Sequence, residues 1–135
     1  ITTQELIIVV NKEHPLARQK GVYLKELKPY LITTYRLDIP IGQVVKKQLK
    51  PNLIEASYLY DSEITICGLV SRKPMVGLVA RTPYQKQFDN LVELELLDVP
   101  KDARLVYMVY SKKNFITSAV EAFADYMVAN EMNLP

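Results

Sequence analysis

The stretch "VVNKEHPLARQKGVYLKELKPYLITTYR", residues 9–36, shows how two predicted strands are connected. It begins inside the apolar run "QELIIVV" (4–10), which is rich in β-branched residues and typical of a buried strand. A polar loop around His14 and Pro15 follows, and then a short amphipathic turn that a proline ends. The chain next enters "YLITTY" (30–35), a second predicted strand whose last residues carry hydroxyl groups.

Strand and helix patterns alternate along the rest of the chain. We predict a helix after Asp38 with Pro40 in its first turn, a helix over 62–72 capped by Asp61, and a helix opened by a capping box. The residues of that capping box are Ser118 and Glu121. Further apolar runs predict strands at 53–60, 75–80, 91–97 and 104–113. This order predicts an α/β fold with a largely parallel sheet flanked by helices.

Two of the predicted strands end in polar residues directly before a predicted helix. These residues are Thr33, Thr34 and Tyr35 in one strand and Tyr60, Asp61, Ser62 and Glu63 in the other. In parallel sheets, ligands bind beyond the carboxyl ends of the strands and near helix N-termini. Hydroxyl and helix N–H groups suit a carboxylate or a phosphate, so the pattern favours a ligand site. The alternative is that the two acidic residues only cap their helix and complement its dipole.

Composition excludes several classes of protein. A chain of 135 residues with 49% hydrophobic residues is sufficient for one domain with a real core. The net charge of +2, with the lysines and arginines dispersed, does not indicate a nucleic-acid surface. No apolar run approaches the roughly 20 residues that a membrane helix needs. Because the chain starts at Ile1 and enters a strand almost at once, we expect it to be part of a longer protein.

The sequence gives no support for an enzyme, a metal site or a cofactor site. His14 is the only histidine and has no nucleophile or acid partner in a recognisable motif, so we interpret it as structural. One histidine and one cysteine do not match known metal-ligand spacings, and phosphate-binding glycine motifs are absent. Cys67 lies in an apolar stretch and is better interpreted as a buried small hydrophobic residue than as a functional thiol.

Four segments, in order, resemble the effector-binding domain of LysR-type transcriptional regulators. They are "ELIIVVNKEHPLA" (5–17), "VYLKELKPYLITT" (22–34), "YDSEITICGLVSRKPMVGLVA" (60–80) and "RLVYMVYSKKNFITSAVEAFADYM" (104–127). The resemblance implies one lobe like that of periplasmic binding proteins, with a mixed, mostly parallel sheet, plus partial elements of a second lobe. It assigns 1–10 to a first-lobe strand entering the hinge, 11–103 to the second lobe, and 104–135 to the return strand and C-terminal helix of the first lobe. The two crossings between the lobes are then expected at residues 11–16 and 98–104.

The resemblance also implies a function. A small, anionic metabolite would bind in the cleft between the lobes and control DNA binding by an N-terminal winged helix-turn-helix outside these residues. The expected effector-binding residues are Thr33, Thr34, Asp61, Glu63 and Cys67. The protein would act in the cytoplasm as a dimer or tetramer, without a cofactor and without a membrane.

One segment departs from the family pattern. Lys73, Pro74 and Met75 stand where the family usually has Gly-x-Gly, which suggests a different turn with Lys73 exposed near the cleft, although a merely solvated lysine fits as well. A solute-binding receptor of a transporter and an enzyme domain with a doubly wound sheet are the alternative functions.

Overall fold

The computed structural model describes residues 2–111 and 115–130. Its strands are β1 (Thr2–Gln4), β2 (Leu6–Asn11), β3 (Gly21–Val22), β4 (Ile32–Tyr35), β5 (Tyr58–Tyr60), β6 (Val76–Ala80), β7 (Leu91–Leu96) and β8 (Arg104–Val106). Its α-helices are α1 (Pro40–Leu49), α2 (Glu63–Val70) and α3 (Ser118–Ala129), and short 3-10 turns occupy several of the loops.

Six of the strands form one mixed sheet in the order β3-β7-β2-β6-β4-β5. The central strand β2 runs antiparallel to both β6 and β7, while the other five strands share one direction. Helix α2 packs on this sheet at Gly77, where an added Cβ would lie 2.7 Å from Val9 and 3.1 Å from Val70. The predicted α/β class with a mostly parallel sheet and flanking helices is confirmed.

The pairing of β1 with β8 forms a second, two-stranded sheet, and it changes the expected position of the crossings. The sequence assigned residues 1–10 to the same lobe as the strand that begins at Arg104, but residues 6–10 lie in the centre of the large sheet. Leu6 to Val10 are all buried, which is what a strand covered on both faces requires. The chain therefore crosses between the sheets at Glu5 and again between Leu96 and Arg104.

The polar loop at residues 11–16 stays with the large sheet and is not a crossing. The Lys12 N–H donates to the carbonyl of Asn90, beside the start of β7. The His14 ring accepts a hydrogen bond from the Leu16 N–H through Nδ1, at 3.1 Å, and so caps the 3-10 turn Pro15–Arg18. The charged residues of this loop are thus exposed, and they lie beside a capped turn.

Several element boundaries differ from the predicted ones. The strand predicted at 53–60 is reduced to β5, because Leu53 adopts a left-handed φ of 54° that ends the turn after α1. The strand predicted at 104–113 is reduced to β8, whose partner β1 has only three residues, and its residues 112–113 lie outside the described part of the chain. The helix predicted over 62–72 spans the residues of α2 alone.

The helix caps also differ from those expected. In each helix the N-cap is the residue next to the predicted one. Ile39 takes this position instead of Asp38, Ser62 instead of Asp61, and Thr117 instead of Ser118. Asp38 forms an exposed ion pair with Arg36, at 2.5 Å, and so does not cap α1. None of the residues of α3 is buried, whereas α1 and α2 both contribute to the core.

Candidate functional site at the strand ends

A hydrogen-bonded tyrosine joins the ends of two parallel strands to the start of α2. The Tyr35 hydroxyl, at the end of β4, donates to Glu63 Oε1 at 2.8 Å and accepts from the Ala80 N–H at 2.9 Å. Tyr35 is only 1% exposed, and burial is the main reason why its pKa lies far above the ordinary value. Its neutral hydroxyl therefore fixes the start of α2 over the carboxyl ends of β4 and β6.

An arginine at the same edge joins the large sheet to the first crossing. Arg81 follows β6 directly, and its guanidinium contacts Glu93 at 2.8 Å and Glu5 at 3.3 Å. The backbone N–H of Arg81 also donates to the backbone carbonyl of Glu5 at 2.8 Å. Since Glu5 is the residue between β1 and β2, these contacts hold the crossing against the large sheet.

The residue pair of the small sheet that is nearest to Glu5 lies next to the two ion pairs of Arg81. Arg104 begins β8, is in register with Gln4, and donates from Nη1 to Gln4 Oε1 at 2.7 Å. We call the residues described so far at this edge the strand-end cluster: Gln4, Glu5, Tyr35, Glu63, Arg81, Glu93 and Arg104. An open cavity of about 430 Å³ borders the cluster and is lined in part by Lys86 and Lys101.

The two predicted threonines are buried on opposite faces of β4. Thr33 is in register with Gly77, whose missing Cβ would face Val70 and Ile66 of α2, so Thr33 lies beneath that helix. Its hydroxyl has no hydrogen-bond partner in the described part of the chain. Thr34 faces the other side and donates to the carbonyl of Leu78 at 2.7 Å. Both side chains are fully buried, so neither forms part of an open surface.

The three predicted residues of the α2 region differ in exposure. Asp61 is exposed and precedes the cap residue Ser62, whose hydroxyl accepts from the Ile64 N–H at 3.2 Å. Glu63 is half-buried and belongs to the strand-end cluster. Cys67 is fully buried, and burial, with smaller effects of Glu63 and Glu93, raises the pKa of its thiol to about 12. A buried thiol with a raised pKa carries little thiolate at neutral pH.

The strand-end cluster contains residues that the sequence pattern did not single out. Arg81 could have been found by the signal used for the threonines, because it directly follows a buried strand. Glu5 and Arg104 carry no such signal, since both lie before a strand or at its start. Their positions depend on pairing between segments about a hundred residues apart, as in the bond between Arg104 and Gln4.

The unusual segment at Lys73 lies away from this cluster. Lys73 is exposed, as expected, but it follows the C-terminal end of α2, whereas the cluster contains the start of that helix. The Met75 N–H donates to the carbonyl of Lys73 at 2.8 Å, which closes a tight turn without glycine. Lys73 therefore does not belong to the strand-end cluster, and its place near a cleft stays a prediction.

The fold is an α/β domain with a six-stranded mixed sheet and a separate two-stranded sheet. The sequence profile of the LysR substrate binding domain matches residues 1–131, and the chain therefore belongs to this family. A comparison with curated proteins finds no match. No helix within residues 2–111 and 115–130 is long and apolar enough to span a membrane, and no group of potential metal ligands occurs there.

Solved structures of LysR-family proteins have the same fold. The effector binding domain of QuiR, in complex with shikimate, is 21% identical with a TM-score of 0.85 over 98% of this chain and 63% of that one. The CcmR regulatory domain from Synechocystis PCC6803, in complex with 2-PG, is 12% identical with a TM-score of 0.73 over 99% of this chain and 66% of that one. HinK, a LysR family transcriptional regulator from Pseudomonas aeruginosa, is 16% identical with a TM-score of 0.70 over 93% of this chain and 44% of that one. The chain thus spans less than two thirds of the QuiR and HinK structures.

Proposed function

We propose that this chain senses a small-molecule effector within a LysR-type transcriptional regulator. The observation that carries the proposal is the strand-end cluster, which lies where the six-stranded sheet meets the two-stranded one. A ligand bound there would contact both sheets at once. Such a ligand favours one relative angle of the two lobes, because it binds more tightly to the arrangement in which both sets of contacts form.

We propose that the effector is an anionic metabolite. Four cationic side chains lie at this edge, against the three carboxylates of the cluster, Glu5, Glu63 and Glu93. The cations are Arg81, Arg104, Lys86 and Lys101. Asp61 and Glu63, at the start of α2, would border the bound molecule. Contact between an effector and Thr33, Thr34 or Cys67 stays a prediction, and it would require a movement of α2 or of β4, because all three side chains are buried.

The rest of the proposed mechanism concerns the longer regulator. The change in lobe angle would alter the spacing of winged helix-turn-helix domains in a cytoplasmic dimer or tetramer, and so its affinity for operator DNA. The solved relatives are consistent with a small ligand, since QuiR was solved with shikimate and CcmR with 2-PG.

The experiment is a ligand screen followed by hydrogen exchange on the full-length regulator. A panel of carboxylate and phosphate metabolites, including shikimate, is screened for thermal stabilisation of the protein. The best ligand should then slow amide exchange in peptides covering 60–66 and 78–83, which contain the start of α2 and the end of β6. Peptide 11–17, at the opposite edge of the sheet, is the internal control. Protection confined to that control peptide, or to no part of this chain, would contradict the proposal.

A further inference from the structure

We propose that Arg104 is the residue that binds the acidic group of the effector, and that this group is an oxyanion held by the free edge of the guanidinium. The inference rests on the proposed function, which it deepens by naming the recognition chemistry. It requires that Arg104 lies in the cleft, that its donors are not already used, and that its surroundings suit an anion.

Strand register places Arg104 in the strand-end cluster. Leu6 is in register with Ala80, whose N–H binds Tyr35, and Gln4 lies two residues before Leu6 along the chain. Two residues of extended chain span about 7 Å, so Gln4 and its partner Arg104 lie at the same edge of the sheet as the Tyr35 hydroxyl. The positive charge of Arg104 accordingly acts on Tyr35, where it opposes part of the rise in pKa that burial causes.

Most N–H groups of the Arg104 guanidinium have no acceptor among the described residues. Only its Nη1 makes a hydrogen bond to another described residue, and the acceptor is the neutral amide oxygen of Gln4. Within residues 2–111 and 115–130, the edge formed by Nε and Nη2 makes no hydrogen bond. Two parallel N–H groups on a planar edge match the two oxygens of a carboxylate or a phosphate.

Among the arginines of the described residues, only Arg104 is half-buried and has no carboxylate partner. In the described part of the chain only Arg81 and Arg104 are half-buried, while Arg18, Arg36 and Arg72 are exposed. Arg81 is neutralised by two carboxylates, but Arg104 has no carboxylate within 4.0 Å among the described residues. A half-buried cation that is not directly paired with a carboxylate is stabilised when an anion binds to it. Arg81 thus stabilises the crossing through its two ion pairs, while the guanidinium of Arg104 can bind an anionic ligand.

The test measures thermal stabilisation of the full-length protein by two minimal probes, sodium acetate and inorganic phosphate, each against sodium chloride of equal ionic strength. A ligand that binds only the native state stabilises it by RT ln(1 + [L]/Kd), so the melting temperature rises with the logarithm of the ligand concentration once that exceeds Kd. The wild type should show this logarithmic rise, whereas sodium chloride of equal ionic strength should not produce it. Arg104→Gln should weaken the response by about tenfold in concentration. Arg72→Gln, which removes an exposed arginine at the far end of α2, should leave it unchanged.

The two probes separate the possible ligand groups. A response to acetate alone identifies a carboxylate, a response to phosphate alone identifies a phosphate, and both support the proposal if Arg104→Gln removes them. Arg104→Lys keeps the charge but loses the planar edge, so it controls for folding and should recover only part of the response. Equal responses in the wild type and in Arg104→Gln would overturn the inference.

The same variant separates this inference from the proposed function. If a metabolite protects the strand-end cluster but binds Arg104→Gln as tightly as the wild type, only the role of Arg104 fails. If Arg104 binds acetate or phosphate but no metabolite protects the cluster, the sensing function fails while the anion site stands.

Discussion

The two threonines of β4 show what a residue pattern can predict and what it cannot. Hydroxyl side chains at the end of an apolar run correctly marked a strand that ends beside a helix. The pattern did not reveal that Thr33 lies beneath α2 and that Thr34 bonds to the neighbouring strand. Burial of a short strand depends on what packs over it, and local sequence does not contain that information.

Replacing each threonine by valine should separate the two environments. Thr33→Val replaces a buried hydroxyl that has no partner among the described residues, so the free energy of unfolding should stay constant or rise by up to about 1 kcal/mol. Thr34→Val removes the bond to the carbonyl of Leu78 and should lower it by about 1 kcal/mol. Urea denaturation of both variants measures the difference. A larger loss for Thr33→Val than for Thr34→Val would show that the assignment of faces is wrong.

His14 should make stability depend on pH. Burial lowers the pKa of His14, so the folded state binds a proton less readily than the unfolded state does. Its contribution to stability is therefore complete above the ordinary pKa of about 6.5 and is lost as the pH falls below that value. The free energy of unfolding of the wild type should decrease between pH 7.5 and pH 5.5.

The matched variant for this measurement is His14→Asn. Asparagine keeps an acceptor for the Leu16 N–H and is a good cap, but it does not titrate. Its unfolding free energy should change less over the same pH interval. Parallel pH profiles for the two proteins would contradict the assignment, because His14 is the only histidine in the chain.

At the scale of elements, the sequence predicted the presence of most strands and helices but misplaced their ends. The apolar runs at β4, β6 and β7 lie within the predicted limits. The N-terminal caps shifted by one residue, because several neighbouring residues can cap a helix and the backbone geometry selects one of them. Ser62 rather than Asp61 is the cap of α2, although both are good capping residues by type.

The cap of α2 can be tested with a pair of alanine variants. Ser62→Ala removes the acceptor of the Ile64 N–H and should lower the free energy of unfolding by about 1 kcal/mol. Asp61→Ala changes an exposed residue that does not cap the helix, so the expected change is within about 0.5 kcal/mol. Chemical denaturation monitored by circular dichroism measures both values. The reverse order of the two losses would restore Asp61 as the cap.

At the scale of the whole molecule, the resemblance to a family predicted more than periodicity could. Alternating strands and helices predicted the α/β class, and four ordered motifs predicted the LysR family, to which the chain belongs. Neither predicted that β2 is the central strand of the large sheet, because its partners β6 and β7 lie more than sixty residues further along the chain. The crossing at Glu5 and the cluster around Arg81 follow from that pairing.

The most direct test of the sensing function is the affinity of the full-length regulator for DNA from its own promoter, measured by fluorescence anisotropy with and without the ligand found in the screen. If binding at the strand-end cluster changes the lobe angle, the ligand should change the dissociation constant by about 5-fold or more, the usual size of an allosteric coupling. A ligand that protects 60–66 and 78–83 from exchange but leaves the dissociation constant for DNA unchanged would contradict the account.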